Sequence, residues 1–563
     1  MGTPTMKQKI NTRYGTLRAD RASWFAHWQE ITIFLLPRNG RYFIQDHNKG
    51  WRRHNNIYDS TGTKALRTLS AGLMGGLTSP ARPWFRLATQ DPDLMTSNGV
   101  KVWLQTCTTI MLDIFQRTNT YRALHSSYEE LGAFGTSAQI LTSDFDKVMH
   151  HHPLTAGEYC LAANWKGEVC TLYREFEKTV AEIVKEFGID NVSVAVKGMY
   201  DRGNLDAYIP ILHAIEPNED RDPTKLDSRN MAWTSTYYER GGDPNKPLRV
   251  SGYKKFPVLA PRWAVAGGDI YGNSPGMEAL GDIKQLQQEQ LRKSQAIDYM
   301  TNPPLQAPSS LKNREVERLP GGITYYDNSA NSEGIKTMFD VSLDLSHLLN
   351  DVQDVRDRIR GAFYADMFLM LQNDVDTRKT ATEVAELHEE KMLMIGPVLE
   401  RLQNEELDPL ISFAFDRMLE SNLVPPAPPE LQGQQINIEL VSMLAQAQRA
   451  IATNGVDRFV TNLGNIAIAQ KNGGATDTVL DKFNADYWAD TYSDMLGVDP
   501  SMIVANDKVA LVRGQRAKAM QQAQQAALAN QASDTAQKLG NTPTQGGQST
   551  ALQDATSNFS GYN

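Results

Sequence analysis

Three places in this 563-residue chain hold residue types able to do chemistry. Asp374 and Asp376 stand with Arg378 and Lys379 just behind them, and paired carboxylates are the beginning of a two-metal site for phosphodiester cleavage. Such a site needs a third and fourth ligand, a Glu or His at fixed spacing, and none is evident. A solvated loop that touches a ligand electrostatically is the better reading. Thr61-Gly62-Thr63-Lys64 resembles a phosphate loop, but that pattern needs Gly directly before the Lys, another Gly five residues earlier, and Ser or Thr after the Lys. Thr63 and Ala65 flank Lys64 instead, so the run reads as capping at a helix entry. His150-His151-His152 with Cys160 and Cys170 could be drawn as zinc ligands, yet consecutive histidines cannot all point at one ion and the cysteines lack tight spacing. A polar turn before Pro153 is expected, with Cys170 buried in a strand as a small, soft side chain. There is no Gly-x-Ser-x-Gly elbow and no His-Glu-x-x-His, so an enzyme reading has no support and no cofactor or metal is expected.

The elements that would hold these residues are more telling. Between Glu278 and Asn422 the apolar spacing predicts three long helical segments, with a Pro/Gly-rich excursion over Thr301 to Asp340 between the first two. A helix pair that leaves a body, turns through a small β-like tip and returns is a stalk with a contact surface at its end. That layout points to an assembly part. Leu345, Leu348, Leu349, Val352, Val355, Ile359, Ala362 and Phe363 predict a helix over Leu343 to Phe363, about 30 Å long. Its partner, Glu278 to Met300, is Gln-rich: Gln285, Gln287, Gln288, Gln290 and Gln295 form a weakly charged face suited to packing beside copies of itself or lining water. Thr380-Ala381-Thr382-Glu383 is a capping box that opens a third helix reaching Ser421, bent at Pro397 and Pro409.

Upstream, helices are predicted over Asp20 to Leu36, from Tyr58 to Leu77, over Lys101 to Phe115 and over Tyr121 to Leu131, with a Gly-initiated strand over Phe134 to Leu141. Short β-branched or alternating runs at Val192 to Val196, Ile209 to Ile215 and Trp233 to Tyr238 make the middle of the chain β-rich, so the fold class is α+β. Downstream, Pro425-Pro426-Ala427-Pro428-Pro429 is a stiff spacer and Ile436 to Leu440 a strand returning to the body. Asp507 to Leu539 is an Ala/Gln-rich helix that neighbours must cover, and Gly540 to Asn563 should be disordered.

Apolar content of 41% and charged content of 22% are ordinary for a folded protein, and the length suggests roughly four units. A net charge of −9 argues against tight nucleic-acid binding through a basic face, which needs clustered Lys and Arg. A conduit through which DNA slides has the opposite requirement. Three sparse cysteines suggest free thiols, and the missing signal, myristoylation and membrane-spanning patterns suggest a soluble, cytosolic product with no membrane partner.

Several stretches together resemble the head-to-tail connector, or portal, proteins of short-tailed double-stranded DNA bacteriophages. They are Tyr58-Asp59-Ser60-Thr61-Gly62, Leu77-Thr78-Ser79-Pro80-Ala81-Arg82-Pro83-Trp84-Phe85, Tyr271-Gly272-Asn273-Ser274-Pro275-Gly276, and Thr380-Ala381-Thr382-Glu383-Val384 with Gly396-Pro397-Val398-Leu399. The resemblance covers Asp20 to Thr535 and implies a ring, dodecameric as is usual in the family, around a DNA channel at one capsid vertex. It implies a portal-type subunit: an N-terminal wing over 1–277, stem helices over 278–300 and 341–369, and a small α/β clip over 301–340. A tunnel loop over 370–379, a long kinked helix over 380–424, a C-terminal wing segment over 425–504, a crown helix over 505–539 and a disordered tail over 540–563 complete it. The implied partners are further copies of the chain, the major capsid protein, the terminase large subunit, tail adaptor and tail tube proteins, and the double-stranded DNA passing through. The implied location is the virion, after assembly in the host cytoplasm. Gln372, Asn373, Asp374, Asp376, Arg378 and Lys379 would face DNA, and Lys312, Arg314, Glu315, Glu317 and Arg318 would dock partners through the clip. The alternatives are a phage scaffolding or internal virion protein, and less strongly a packaging enzyme.

Overall fold

A computed structural model describes residues 5–46, 54–91, 94–225, 227–243, 246–302, 304–306, 336–337, 346–370, 395–431, 436–441, 459–470, 483–496, 502, 504 and 506–541. The chain divides into two compact units, Met1–Gln90 with Trp103–Lys482, and Asp91–Val102 with Phe483–Asn563.

The larger unit opens with α1 (Met6–Asp20), α2 (Ala22–Phe34), α3 (Thr61–Gly76) and β1 (Phe85–Thr89), followed by α4 (Asn98–Arg117), which begins in the smaller unit, and α5 (Thr120–Phe134). A β-rich stretch follows: β2 (Ala138–Asp144), β3 (Val148–Leu154), β4 (Tyr159–Ala163), β5 (Val169–Thr179), then α6 (Val180–Phe187) and α7 (Val194–Asp201), then β6 (Tyr208–Pro217), β7 (Trp233–Glu239), β8 (Arg249–Tyr253) and β9 (Val258–Leu259). After it come α8 (Pro275–Glu278), α9 (Leu280–Thr301), β10 (Leu305–Gln306), β11 (Lys336–Thr337), α10 (Ser346–Ala362) and α11 (Ala365–Met370). Helical residues 395–402 enter a π-helical turn at Gln403–Leu407, then α12 (Asp408–Glu420) and β12 (Ile436–Leu440). The smaller unit holds α13 (Ala485–Leu496) and α14 (Asn506–Asn541), joined by a two-pronged ion pair from Arg513 to Asp486.

Strands β4-β5-β6-β7-β8 form one antiparallel sheet covered on both faces. Side chains alternate along a strand, so neighbours serve opposite cores. Leu212, Ala214 and Tyr238 join Ile10, Tyr14 and Leu17 of α1, while Ile211 and Tyr237 join Val180, Ile183 and Phe187 of α6 and Val196 of α7. A smaller sheet, β3-β2-β9, carries the three histidines, and β1 pairs with β12, Phe85 opposite Leu440. Beside these sheets the leucines of α3, Leu66, Leu69 and Leu73, are fully buried.

The mixed helix-and-sheet class holds, and β12 and α14 lie where the spacing predicted them. Four local readings need correction. The first helix is α1, whose Thr5 and Gln8 cap each other in a box. Gly135 ends α5 as its left-handed cap, φ +74°, rather than starting a strand. Val194–Asp201 is a helix, because Ser193 Oγ accepts the Val196 N–H and nucleates it. His150-His151-His152 lies in β3 rather than in a turn.

Candidate assembly site at the root of the helix pair

Helices α9 and α10 run antiparallel. Arg358, late in α10, pairs with Asp282, early in α9, at 3.3 Å, and Glu289 faces Asp351. At the far end the described backbone closes through an antiparallel ladder, Leu305 opposite Thr337 and Gln306 opposite Lys336.

At the near end one residue, Asp59, ties both helices to the start of α3, α10 through its carboxylate and α9 through its backbone. Asp59 Oδ1 accepts the Thr61 N–H at 2.8 Å and its hydroxyl at 2.5 Å, and Oδ2 accepts Arg356 NH2 at 2.7 Å and Nε at 3.1 Å. Burial alone would raise the pKa of Asp59, but the Thr61 and Arg356 bonds outweigh it and hold the pKa below the ordinary value. Gln287 of α9 completes the node. Its Oε1 accepts the Tyr58 and Asp59 N–H groups at 2.7 and 2.8 Å, and its Nε2 donates to the Asp59 carbonyl at 3.0 Å. This corrects the reading of the α9 glutamines as one open face: Gln287 is buried and fully committed. The predicted helix entry at Thr61 is present, and Asp59 fastens it.

The node explains why Tyr58 to Gly62 is so specific a stretch. A Cβ on Gly62 would meet Ile283 and Leu35 at 3.2 Å, so α3 enters against α9 where only a hydrogen fits comfortably. The Tyr271-to-Gly276 stretch is tighter. A Cβ on Gly272 would lie 2.3 Å from the Gly135 carbonyl, and Ser274 both caps α8 and donates to the Ala133 carbonyl at 2.8 Å. In the third stretch the Thr78 hydroxyl bonds Tyr128 OH at 3.0 Å, and Trp84 and Phe85 are buried with Phe115.

The chain re-enters the body through the π-helical turn. Pro409 would drive its ring into the carbonyl four residues earlier in a regular helix, and the wider turn just before it relieves that clash. The helix therefore widens at Pro409, and the turn presents two consecutive glutamates. Glu405 accepts from the Arg262 backbone N–H at 2.9 Å and from its NH2 at 2.6 Å. Glu406 ends a buried relay: Gln139 Nε2 donates to its Oε1 at 2.9 Å, His151 Nδ1 donates to Gln139 Oε1 at 2.9 Å, and His151 Nε2 lies 3.0 Å from the Thr120 hydroxyl. Burial raises the Glu406 pKa to about 7 and lowers that of His151 to about 3.

The outer half of the pair leaves the body's packing. Ile297, Tyr299 and Met300 of α9 and Leu349 of α10 are exposed. Among the described residues no group of His, Cys, Asp and Glu is arranged to hold a metal, and no helix is long and apolar enough to cross a membrane. The expected DNA-facing residues Gln372, Asn373, Asp374, Asp376, Arg378 and Lys379, and the expected docking residues Lys312, Arg314, Glu315, Glu317 and Arg318, all lie outside the described residues. Sequence reasoning singled out neither Gln287 nor Arg356 for this node. The only local signal was Asp59-Ser60-Thr61, an Asx turn in front of a helix.

The family described as bacteriophage head to tail connecting protein matches residues 7–504. The chain belongs to that family. The connector is 59% identical over 562 residues to a protein of Bordetella phage BPP-1 named "Probable portal protein", covering all of both chains. It is 43% identical over 542 residues to the "Portal protein" of Salmonella phage epsilon15, covering 96% of each. Both relatives are named for a structural part rather than an enzyme. A solved chain in the neck of an empty gene transfer agent particle, 11% identical to the connector, gives a TM-score of 0.37 over 79% of this chain and 99% of that one.

Proposed function

We propose that the connector is the subunit of a portal ring at a phage capsid vertex, through which double-stranded DNA enters during packaging and leaves at ejection. The carrying observation is the helix pair: locked at its root by Asp59, Gln287 and Arg356, it exposes Ile297, Tyr299, Met300 and Leu349 farther out, as a side-by-side subunit requires. Full-length similarity to proteins named as portals supports the same reading. The ring is dodecameric in this proposal, and α14, with Leu511, Met520 and Leu528 exposed along it, is covered by its neighbours. The clip docks the terminase large subunit and then the tail adaptor and tail tube proteins, the wing meets the major capsid protein, and the tunnel loop at 370–379 faces DNA.

Negative-stain microscopy with native mass measurement of the purified chain tests this. Closed rings with a central hole are expected, and monomers or open filaments at assembly concentrations would overturn it. For the tunnel loop, an Arg378→Ala, Lys379→Ala double variant should lose packaged DNA, and wild-type retention would remove those two residues from the channel.

A further inference from the structure

The junction of α1 with α2, the loop after α2, and strands β3 and β5 line an open cavity of about 480 Å³ that the stalk does not use. That volume is within the range of small-molecule sites. Four arginines line it: Arg18, Arg21, Arg41 and Arg174. Each guanidinium has five N–H donors, and arginines brought together repel unless anions separate them.

Among the described residues none of the four makes a direct ion pair with a carboxylate, although Glu158 lies near enough to Arg41 and Arg174 for their charges to lower its pKa against the rise that burial causes. Arg18 lies over the Tyr14 ring at 5.7 Å. Arg21 NH1 donates to the Gly157 carbonyl at 2.9 Å and to that of Tyr159, and its guanidinium lies over the Phe25 ring. Arg41 reaches the Arg38 and Gly40 carbonyls at 3.3 Å. Arg174 Nε donates to His213 Nδ1 at 3.1 Å. The cavity's four carboxylates, Asp46, Glu158, Glu175 and Glu177, carry bonds of their own. Glu175 is held by Arg240 at 2.9 Å, Glu158 accepts the Thr155 N–H, and Asp46 and Glu177 have partners of their own. Arg21 adds an independent sign, because it is only 6% exposed and its Nε has no hydrogen-bond partner. A buried donor left in that state loses about 1–3 kcal/mol.

We infer that this cavity binds a phosphoryl group, free or carried on a mononucleotide-sized ligand, among the four guanidiniums. Phosphate matches the donors better than a carboxylate, because its oxygens can accept from forks arriving from several directions at once. Phe25, Tyr42 and Phe43 on the same wall offer apolar surface to an organic remainder.

Calorimetric titration of the full-length assembled protein at low salt tests the assignment, with inorganic phosphate, pyrophosphate and a nucleoside diphosphate as probes. Arg18→Gln and Arg174→Gln, both at positions with solvent access, should each weaken binding about tenfold or more, the loss of one charge-assisted fork. Arg117→Gln, which removes an exposed helix-surface pair, should leave binding unchanged. Tighter binding of the nucleoside diphosphate than of pyrophosphate identifies a nucleotide ligand, and equal binding identifies phosphate alone. Absence of heat with all three probes up to about 10 mM, or equal affinity in both cavity variants, would overturn the assignment.

Discussion

Replacing Glu406 with Gln should make the protein more stable at pH 8, with the gain shrinking to under about 1 kcal/mol at pH 5. The carboxyl is fully buried at the π-helical turn, with one oxygen bonded to Gln139 and the other without a partner. Its pKa rises from 4.5 in the unfolded chain to about 7 in the native one. Below about pH 4.5 both states carry the proton, and the group contributes nothing to pH dependence. As pH climbs toward 7 the unfolded chain releases its proton first, so native stability falls. Above 7 the difference levels off at about 3 kcal/mol, from about 1.4 kcal/mol per pH unit. Glutamine keeps the shape and the bond from Gln139 but has no proton to lose. Glu130, also buried with a pKa of about 7, titrates in both proteins and cancels in the comparison. Denaturant midpoints for wild type and variant at pH 5, 6, 7 and 8 give the result directly. A stability difference that does not grow with pH, or a variant weaker than wild type at pH 8, would refute the reasoning.

Other outcomes follow from the same geometry. Arg356→Ala leaves Asp59 Oδ2 unbonded, so it should lower stability by about 2 kcal/mol and speed amide exchange in α9 and α10 before the β4–β8 sheet is affected. Gly135→Ala should prevent soluble expression, since its Cβ would lie 2.1 Å from the Gly272 carbonyl at a residue already at φ +74°. Gly281→Ala, with nothing within 4 Å, should instead stabilise α9 by about 0.5–1 kcal/mol, read by thermal melts, while soluble yield reads Gly135→Ala. His151 favours its neutral form when folded, so the stability it confers is complete above about pH 6.5 and lost as pH falls toward 3. His151→Gln should flatten that acid limb in denaturant titrations.

Elements with a dense apolar stripe could be read directly. Val352, Val355 and Ile359 at strict spacing announced α10, and all three are buried. α1 escaped because its stripe is only Ile10, Tyr14 and Leu17, although Thr5 and Gln8 spell a capping box. His151 was misjudged because a histidine triplet before proline looks polar, and only the partners Gln139 and Thr120 make burial affordable. The root node was half visible: Asp59 and Thr61 are local, while Gln287 and Arg356 arrive from more than two hundred residues away. The arginine cavity was invisible, because four common residues between positions 18 and 174 acquire meaning only once the fold gathers them.

Both flanks of residues 371–394 are seated deep in the larger unit. On one side Phe368 of α11 fills the notch at Gly72 of α3, where a Cβ would lie 2.2 Å from its ring, after Tyr364 turns the chain at φ +53°. On the other, Ile395 is fully buried, and the helical residues that follow it lead to Glu405 and Glu406 with their bonds to Arg262 and Gln139. The two flanks are therefore held by different chemistry, one apolar and indifferent to salt, the other ionic and hydrogen-bonded.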